Sequence, residues 1–525
     1  MGEGREIQVS ENDHLNESLR TIAKGTGIGF AGAIFGTGVG YLSRMVIARF
    51  LGPEDYGLIS LGFAVMMIGT TLSLMGLSSG VQRFVAYYQG KGDEERIKGT
   101  IISALKVAVP MSLFFMVVVV LGADWISINI FHESDLTPVL MIFAIGIPFW
   151  TLTTIFNSVS IGFQKIEYNV YTTYIFKDSF KLIAIVSLLA AGYGVIGAAV
   201  GWVLAIVGMS VLAFYFLEKK VFPIFNNTVK SILIHKELYY FSYPLIFVGI
   251  LDMITGWTDT FMLGYFCTTS EVGIYNVALP TSKLLSMVLS PIGLIFGPVI
   301  VGLYAKERID ELRRTYSSVT KWIVSLVFPG FLLMVLFSDR ILIILFGDAY
   351  VSGSTALSIL AFSILVNAIV GPAVSVIGAY GRTKIIMWCS LFGASVNVVL
   401  NFFLIPMYGI NGAAIATGFS LALISILHLF FAYRIGGVQP FRWSYAKPLF
   451  SSIIAVAAVY LVTQYVIGVS IVSLIVMLFV FGLLYFFLLL VMKGFDEEDL
   501  VVMRAVDQRL GMRLDWVRRV IRRFL

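Results

Sequence analysis

Runs of about twenty apolar residues, separated by short polar turns, recur from Gly27 to Met492. That single feature leaves the chain few ways to fold. A backbone in hydrocarbon must satisfy its own hydrogen bonds, so only helices and closed barrels span a bilayer. A barrel strand alternates apolar and polar residues, whereas these runs are continuous. Composition agrees: 58% of the 525 residues are hydrophobic and 13% charged, against about a quarter charged in a soluble domain. The chain cannot cover its surface for water, and its expected fold is an all-α polytopic membrane protein.

Fourteen spans can be drawn. Six lie at Gly27–Val46, Tyr56–Ser79, Thr100–Leu121, Val139–Ile161, Tyr171–Ala191 and Ile196–Leu217. Six more lie at Phe241–Phe266, Tyr275–Leu303, Val319–Phe337, Thr355–Ala379, Ile385–Ile405 and Ala413–Ala432, followed by Leu449–Val466 and Ser470–Met492. The polar first 25 residues lack a cleavable signal, so the first apolar run is read as a span. With the N-terminus inside, thirty Lys and Arg fall in cytoplasmic segments, and only Arg49 and Arg340 in external loops. By the positive-inside rule both termini are expected in the cytoplasm and the protein in the cell membrane. The net charge of +6 then reflects topology and anionic lipid. No soluble part remains to bind nucleic acid.

The chain repeats itself. Tyr193-Gly194-Val195-Ile196-Gly197-Ala198-Ala199 returns as Tyr408-Gly409-Ile410-Asn411-Gly412-Ala413-Ala414, and Ile161-Gly162 as Ile377-Gly378. The segment Glu54-Asp55-Tyr56-Gly57-Leu58 is echoed by Ser270-Glu271-Val272-Gly273-Ile274. The offset, 215 or 216 residues, equals six spans, so the copies share one orientation as parallel repeats. The expected organisation is a cytoplasmic segment 1–25, a six-helix lobe 26–236, a second six-helix lobe 237–435, two further helices in 436–494 and a cytoplasmic tail 495–525. In that tail Leu500, Met503, Val506, Leu510, Leu514, Val517 and Ile521 alternate with arginines, the pattern of an amphipathic helix on an anionic leaflet.

Enzymatic motifs are missing. His14, His132, His235 and His428 have no ligand spacing with each other or with Cys267 and Cys389, so neither a metal nor another cofactor is expected. There is no phosphate-binding loop of the nucleotide-hydrolase type. Asn226-Asn227-Thr228 matches a glycosylation acceptor but falls on the cytoplasmic side. Gly32, Gly36 and Gly40 form a smooth ridge suited to close helix packing.

Charges inside the spans carry the functional signal, because each costs about 2.5–3.5 kcal/mol at mid-bilayer. They are Arg44, Lys106, Lys177, Asp178, Lys181, Asp252, Asp259 and Lys283. Lys177 and Lys181, four apart, share a helical face and suit a phosphate or pyrophosphate, with internal pairing to Asp178 as the alternative. Asp252 and Asp259, two turns apart, suit H⁺ or Na⁺ coupling or simple charge pairing, as does Lys283.

Three stretches resemble a known family. Arg44-Met45-Val46-Ile47-Ala48-Arg49-Phe50-Leu51-Gly52-Pro53-Glu54-Asp55-Tyr56-Gly57-Leu58 is similar to the first-hairpin signature of polysaccharide-export flippases, as are Leu345-Phe346-Gly347-Asp348-Ala349-Tyr350 and Tyr408-Gly409-Ile410-Asn411-Gly412-Ala413-Ala414. These belong to the multidrug/oligosaccharidyl-lipid/polysaccharide exporter superfamily, and the resemblance covers nearly the whole chain. It implies two six-helix lobes about a central cavity, two extra C-terminal helices, and a transporter, not an enzyme. Such a protein moves a lipid-linked oligosaccharide from the cytoplasmic to the external leaflet by alternating access, alongside glycan-assembly partner proteins. The resemblance nominates Arg44, Lys177 and Lys181 as phosphate contacts. The second copy has Cys267-Thr268-Thr269 where the first has Leu51-Gly52-Pro53, so the lobes are not equivalent. A cation-coupled drug exporter of the same superfamily is the alternative, and Asp252 and Asp259 keep it open. A glycosyltransferase would want a larger external loop than the one of about fifteen residues at Asp124–Thr137.

Overall fold

The computed structural model describes residues 3–225, 229–465, 471–496 and 519. Among them every regular element is helical. Asn226-Asn227-Thr228 and the amphipathic tail beyond Asp496, Arg519 apart, lie outside the described residues. The chain divides into two compact units, 1–265 and 266–525.

The first unit contains α1 (Glu3–Leu74), α2 (Leu77–Gly90), α3 (Glu94–Trp125), α4 (Leu136–Gly162), α5 (Ile166–Val170), α6 (Lys177–Ala190), α7 (Gly194–Phe216) and α8 (His235–Phe266). Helix α1 is two helices joined at Gly52, whose φ of 84° and ψ of 176° leave the helical region just before Pro53. That backbone is open only to glycine, and proline then starts the next helix with its φ already set. Asp93 caps α3 by accepting from the Arg96 N–H at 3.0 Å. Three π-helical turns occur: Ile126–Ile130 ends α3, Leu217–Val221 ends α7, and Tyr171–Phe176 lies between α5 and α6. Helix α8, placed by sequence at the start of the second lobe, groups here with the first unit. Its early turns lie on α2, where a Cβ on Gly80 would stand 2.5 Å from the Ser242 hydroxyl and the Arg83 guanidinium sits 4.2 Å over the Phe241 ring.

The second unit contains α9 (Thr269–Lys283), α10 (Leu289–Ala305), α11 (Ile309–Leu336), α12 (Ser338–Phe346), α13 (Ser354–Val370), α14 (Ala373–Ala379), α15 (Thr383–Gly436), α16 (Ala446–Tyr465) and α17 (Ile471–Val491). Helix α9 starts with a capping box: Thr268 accepts from the Glu271 N–H at 3.3 Å while Glu271 accepts from the Thr268 N–H. The same carboxylate stands by Cys267, and burial together with that charge pushes the thiol up to about 12. Helix α15 turns at Gly409, φ 54°.

Nine helices among the described residues are long and apolar enough to cross a membrane. Two of them, at 43 and 54 residues, run through the breaks at Gly52 and Gly409, and each exceeds twice the length one crossing needs. Shorter apolar helices lie at Phe296–Ala305 and Leu478–Val491. The stretch expected as the span Tyr171–Ala191 is helical but not among the nine; it carries three charges, Lys177, Asp178 and Lys181.

Candidate functional site

The interior of the first unit holds a charge cluster on α6. Asp178 is 6% exposed and Lys181 5%. The Lys181 ammonium donates to Asp178 Oδ1 at 3.0 Å, and the Lys177 ammonium lies 3.6 Å from that same oxygen. One carboxylate oxygen therefore serves two cations. Each ammonium also faces an indole: Lys177 is 5.4 Å from the Trp150 ring centre on α4, and Lys181 is 4.7 Å from that of Trp202 on α7. The negative face of a tryptophan ring stabilises a desolvated ammonium without consuming a hydrogen bond from it.

Local structure explains why these side chains point inward. The π turn at Tyr171–Phe176 ends at Lys177 and rotates everything after it relative to a plain α-helix. It is tied to α4, where Asn157 donates to the Thr173 hydroxyl at 3.1 Å and accepts from that of Thr172 at 3.2 Å. On the opposite side the glycine ridge of α1 lets this segment approach. A Cβ on Gly36 would fall 2.7 Å from Tyr174, and one on Gly32 2.0 Å from a Val170 methyl. A Cβ on Gly40 would touch Asp178 Oδ1 at 3.4 Å. The ridge thus brings backbone, not side chain, against the charged helix.

Arg44, half-buried on α1, interacts electrostatically with Lys181 and with the buried hydroxyl of Tyr56. The structure therefore gathers Arg44, Lys177, Asp178 and Lys181 in one neighbourhood, with two more positive than negative charges. The other nominated residues lie elsewhere. Asp259 on α8 is 6% exposed, whereas Asp252 one face-turn earlier is exposed. Lys283 lies in the second unit, where it lines a small, mostly apolar cavity with Leu279, Leu360, Ile364, Ser363 and Asn367. Lys106 is exposed on α3. Among the described residues no group of three or more His, Cys, Asp or Glu is placed to hold a metal ion.

The polysaccharide biosynthesis protein family matches residues 22–303. The chain belongs to that family. A second family, MatE, matches residues 244–403. Among curated relatives, a probable low-salt glycan biosynthesis flippase of Haloferax volcanii, Agl15, is 23% identical over 80% of this chain and 84% of its own. A probable flippase of the same organism, AglR, is 30% identical over 46% of this chain and 53% of its own. Among solved structures, the lipid II flippase MurJ in an inward closed conformation aligns with a TM-score of 0.69 at 16% identity, covering 87% of this chain and 97% of its own. The protein is a flippase-type, multi-pass membrane transporter of the exporter superfamily named above.

Sequence reasoning missed Trp150 and Trp202. The signal was available, since tryptophans in membrane helices gather at the interfaces, and these two lie well inside their spans. Lys321 was also missed. It is 5% exposed on α11 and pairs with Asp496 at 2.6 Å, tying α11 to the segment that follows α17 in the second unit.

Proposed function

We propose that this transporter moves a lipid-linked oligosaccharide, bearing a phosphate or pyrophosphate, from the cytoplasmic to the external leaflet of the cell membrane by alternating access, with both termini cytoplasmic. The observation that carries the proposal is the Asp178 oxygen shared by the buried Lys181 and the partly buried Lys177. A carboxylate at 3.0 and 3.6 Å neutralises one ammonium. The second, with Arg44, is left to attract an anion. An arriving phosphate takes over part of the Asp178 contact with the lysines, and its negative charge offsets the excess positive charge of the site. Lysine suits this role as a point charge on a flexible stem that follows a moving headgroup.

Energy for the outward step need not come from a bound cation. A pyrophosphate carries about two negative charges outward, and an inside-negative potential favours this by about 2.3 kcal/mol per charge per 100 mV. Asp259, the buried member of the α8 pair, is the carboxylate we assign to H⁺ or Na⁺ should one reset the empty carrier. A cation-coupled drug exporter is the second reading, supported by that buried carboxylate and by the MatE match over residues 244–403. It sits poorly with the excess positive charge around Asp178.

Removing the gene and identifying the lipids that accumulate tests the substrate class: a lipid-linked glycan held on the inner leaflet is expected. Complementation with Lys177→Ala plus Lys181→Ala should fail although the protein reaches the membrane, and the double arginine variant should partly restore export. Full export by the double alanine variant would overturn the phosphate assignment. Accumulation of no glycan lipid would overturn the substrate.

A further inference from the structure

On the flank of the first unit, α3, α4, α7 and the segment after α7 enclose a groove of about 700 Å³. It shares no residue with the Lys177–Lys181 cluster. Its walls include Pro110, Phe156, Phe214 and Phe225, and among the described residues its only polar side chains are those of Lys98 and Lys106. The Lys98 ammonium donates to the Val229 carbonyl at 3.0 Å and is committed to the protein. Lys106 is exposed, and no described carboxylate forms an ion pair with it.

The depth of Lys106 can be read from its own helix. Trp125, 62% exposed near the other end of α3, is the residue type that sits at a membrane interface. Lys106 precedes it by nineteen residues, or ~28 Å of helix, close to the ~30 Å of a bilayer's hydrocarbon. The outward face between them is apolar, with Leu113, Phe114, Val117 and Leu121 all more than 40% exposed. Lys106 therefore stands at the opposite edge of the hydrocarbon. Helical side chains lean toward the N-terminus, here away from the hydrocarbon, so its ammonium reaches the level of lipid phosphates.

We propose that this groove seats an anionic membrane phospholipid, its phosphate against the Lys106 ammonium and an acyl chain running past Pro110 onto the Leu113–Leu121 face. Charge selects the anionic headgroup over a zwitterionic one. The described lining suits a phospholipid better than the glycan-bearing substrate: apart from the two lysines, its described side chains are apolar and offer a sugar no hydrogen bond.

Native mass spectrometry of the full chain, released from nanodiscs of equal phosphatidylglycerol and phosphatidylcholine, tests this. The wild type should retain phosphatidylglycerol in preference. Lys106→Gln should lower that retention about fivefold, one surface lysine's share of the attraction to anionic lipid. Lys106→Arg should keep it, and Lys384→Gln, an exposed cation on α15, should leave it unchanged. A Phe225→Trp variant locates the lipid: brominated-chain phosphatidylglycerol should quench the new indole more than brominated phosphatidylcholine does, and Lys106→Gln should erase the difference. Retention indifferent to headgroup, equal retention in Lys106→Gln, or displacement of the bound lipid by a lipid-linked oligosaccharide would each overturn the proposal.

Discussion

Through the internal repeat, residues 166–190 of the first unit correspond to the first half of α15 in the second, and the two stretches keep the same turns while differing in charge. Gln164 (φ 59°) and Gly381 (φ 70°) mark one shared turn, Gly194 (φ 53°) and Gly409 (φ 54°) the next. The interval is thirty residues in the first unit and twenty-eight in the second. Part of the surplus goes into the π turn before Lys177, whereas the corresponding part of α15 is uninterrupted helix. The charged face is also gone: Phe392-Gly393-Ala394-Ser395-Val396-Asn397 contains no ionisable side chain. In its place the second unit uses amides and hydroxyls, with Asn397 donating to Thr417 at 3.1 Å and Asn367 to Ser425 at 2.9 Å. Duplication conserved what the fold needs, namely left-handed turns and apolar faces. The ionic chemistry is a property of one copy.

The largest break in that comparison comes from removing the shared carboxylate. Asp178→Asn leaves the buried Lys181 ammonium and the partly buried Lys177 without their counter-ion, and loss of one partner from a buried ion pair costs about 3–5 kcal/mol. A fall in Tm of the purified protein should report it. Adding Lys181→Gln removes the excess charge and should recover most of the loss. Asn397→Leu in the second unit, which deletes the neutral hydrogen bonds to Thr417 and from Asn401, should cost less, about 1–3 kcal/mol. Equal melting of Asp178→Asn and Asn397→Leu would mean that the first unit's charges are solvated.

How much of this was legible without coordinates follows from the same contrast. Lys177, Asp178 and Lys181 stood out because charge in an apolar run is conspicuous, and their spacing alone put both lysines on one face. The all-α fold was legible because continuous apolar runs admit little else. The indoles were overlooked: Trp150 and Trp202 sit in an apolar background, and only their depth within the spans, unusual for tryptophan, marked them. The π turn was not legible: one extra residue per turn leaves no trace in a segment without polar periodicity. The division at residues 265 and 266 was equally hidden, because the contacts that hold α8 on α2 are made by Gly80, Ser242 and an Arg83–Phe241 stack, none of which is unusual in sequence.

A second, smaller contrast lies at the paired breaks Leu51-Gly52-Pro53 and Cys267-Thr268-Thr269. The first copy bends by backbone freedom and the second by a side-chain cap. Nothing lies within 4 Å of a Cβ built on Gly52, so Gly52→Ala meets no steric obstacle and its cost is purely conformational, about 1–3 kcal/mol for so rare a backbone. Thr268→Ala should cost about 1 kcal/mol, and Thr268→Ser should restore it. Chemical denaturation in detergent distinguishes the two. A Gly52→Ala protein as stable as the wild type would show that the first break tolerates another backbone.

The smallest expected effect isolates the indole that the second copy lacks. Trp202→Phe keeps an aromatic ring beside Lys181 but weakens its negative face and shortens its reach. In the wild-type background the loss combines packing with the cation–ring attraction, so the single variant alone decides nothing. The same substitution in Lys181→Gln loses packing only. The difference between the two losses is the cation–ring contribution, and replacing one aromatic face by a poorer one should leave it below about 1 kcal/mol. Lys181 remains bonded to Asp178 throughout, because that contact at 3.0 Å does not involve the ring. A coupling of zero would show that Trp202 serves Lys181 only as a wall. A coupling well above the expected value would show that the indole, as much as the carboxylate, allows this copy of the repeat to keep a charge where the other has none.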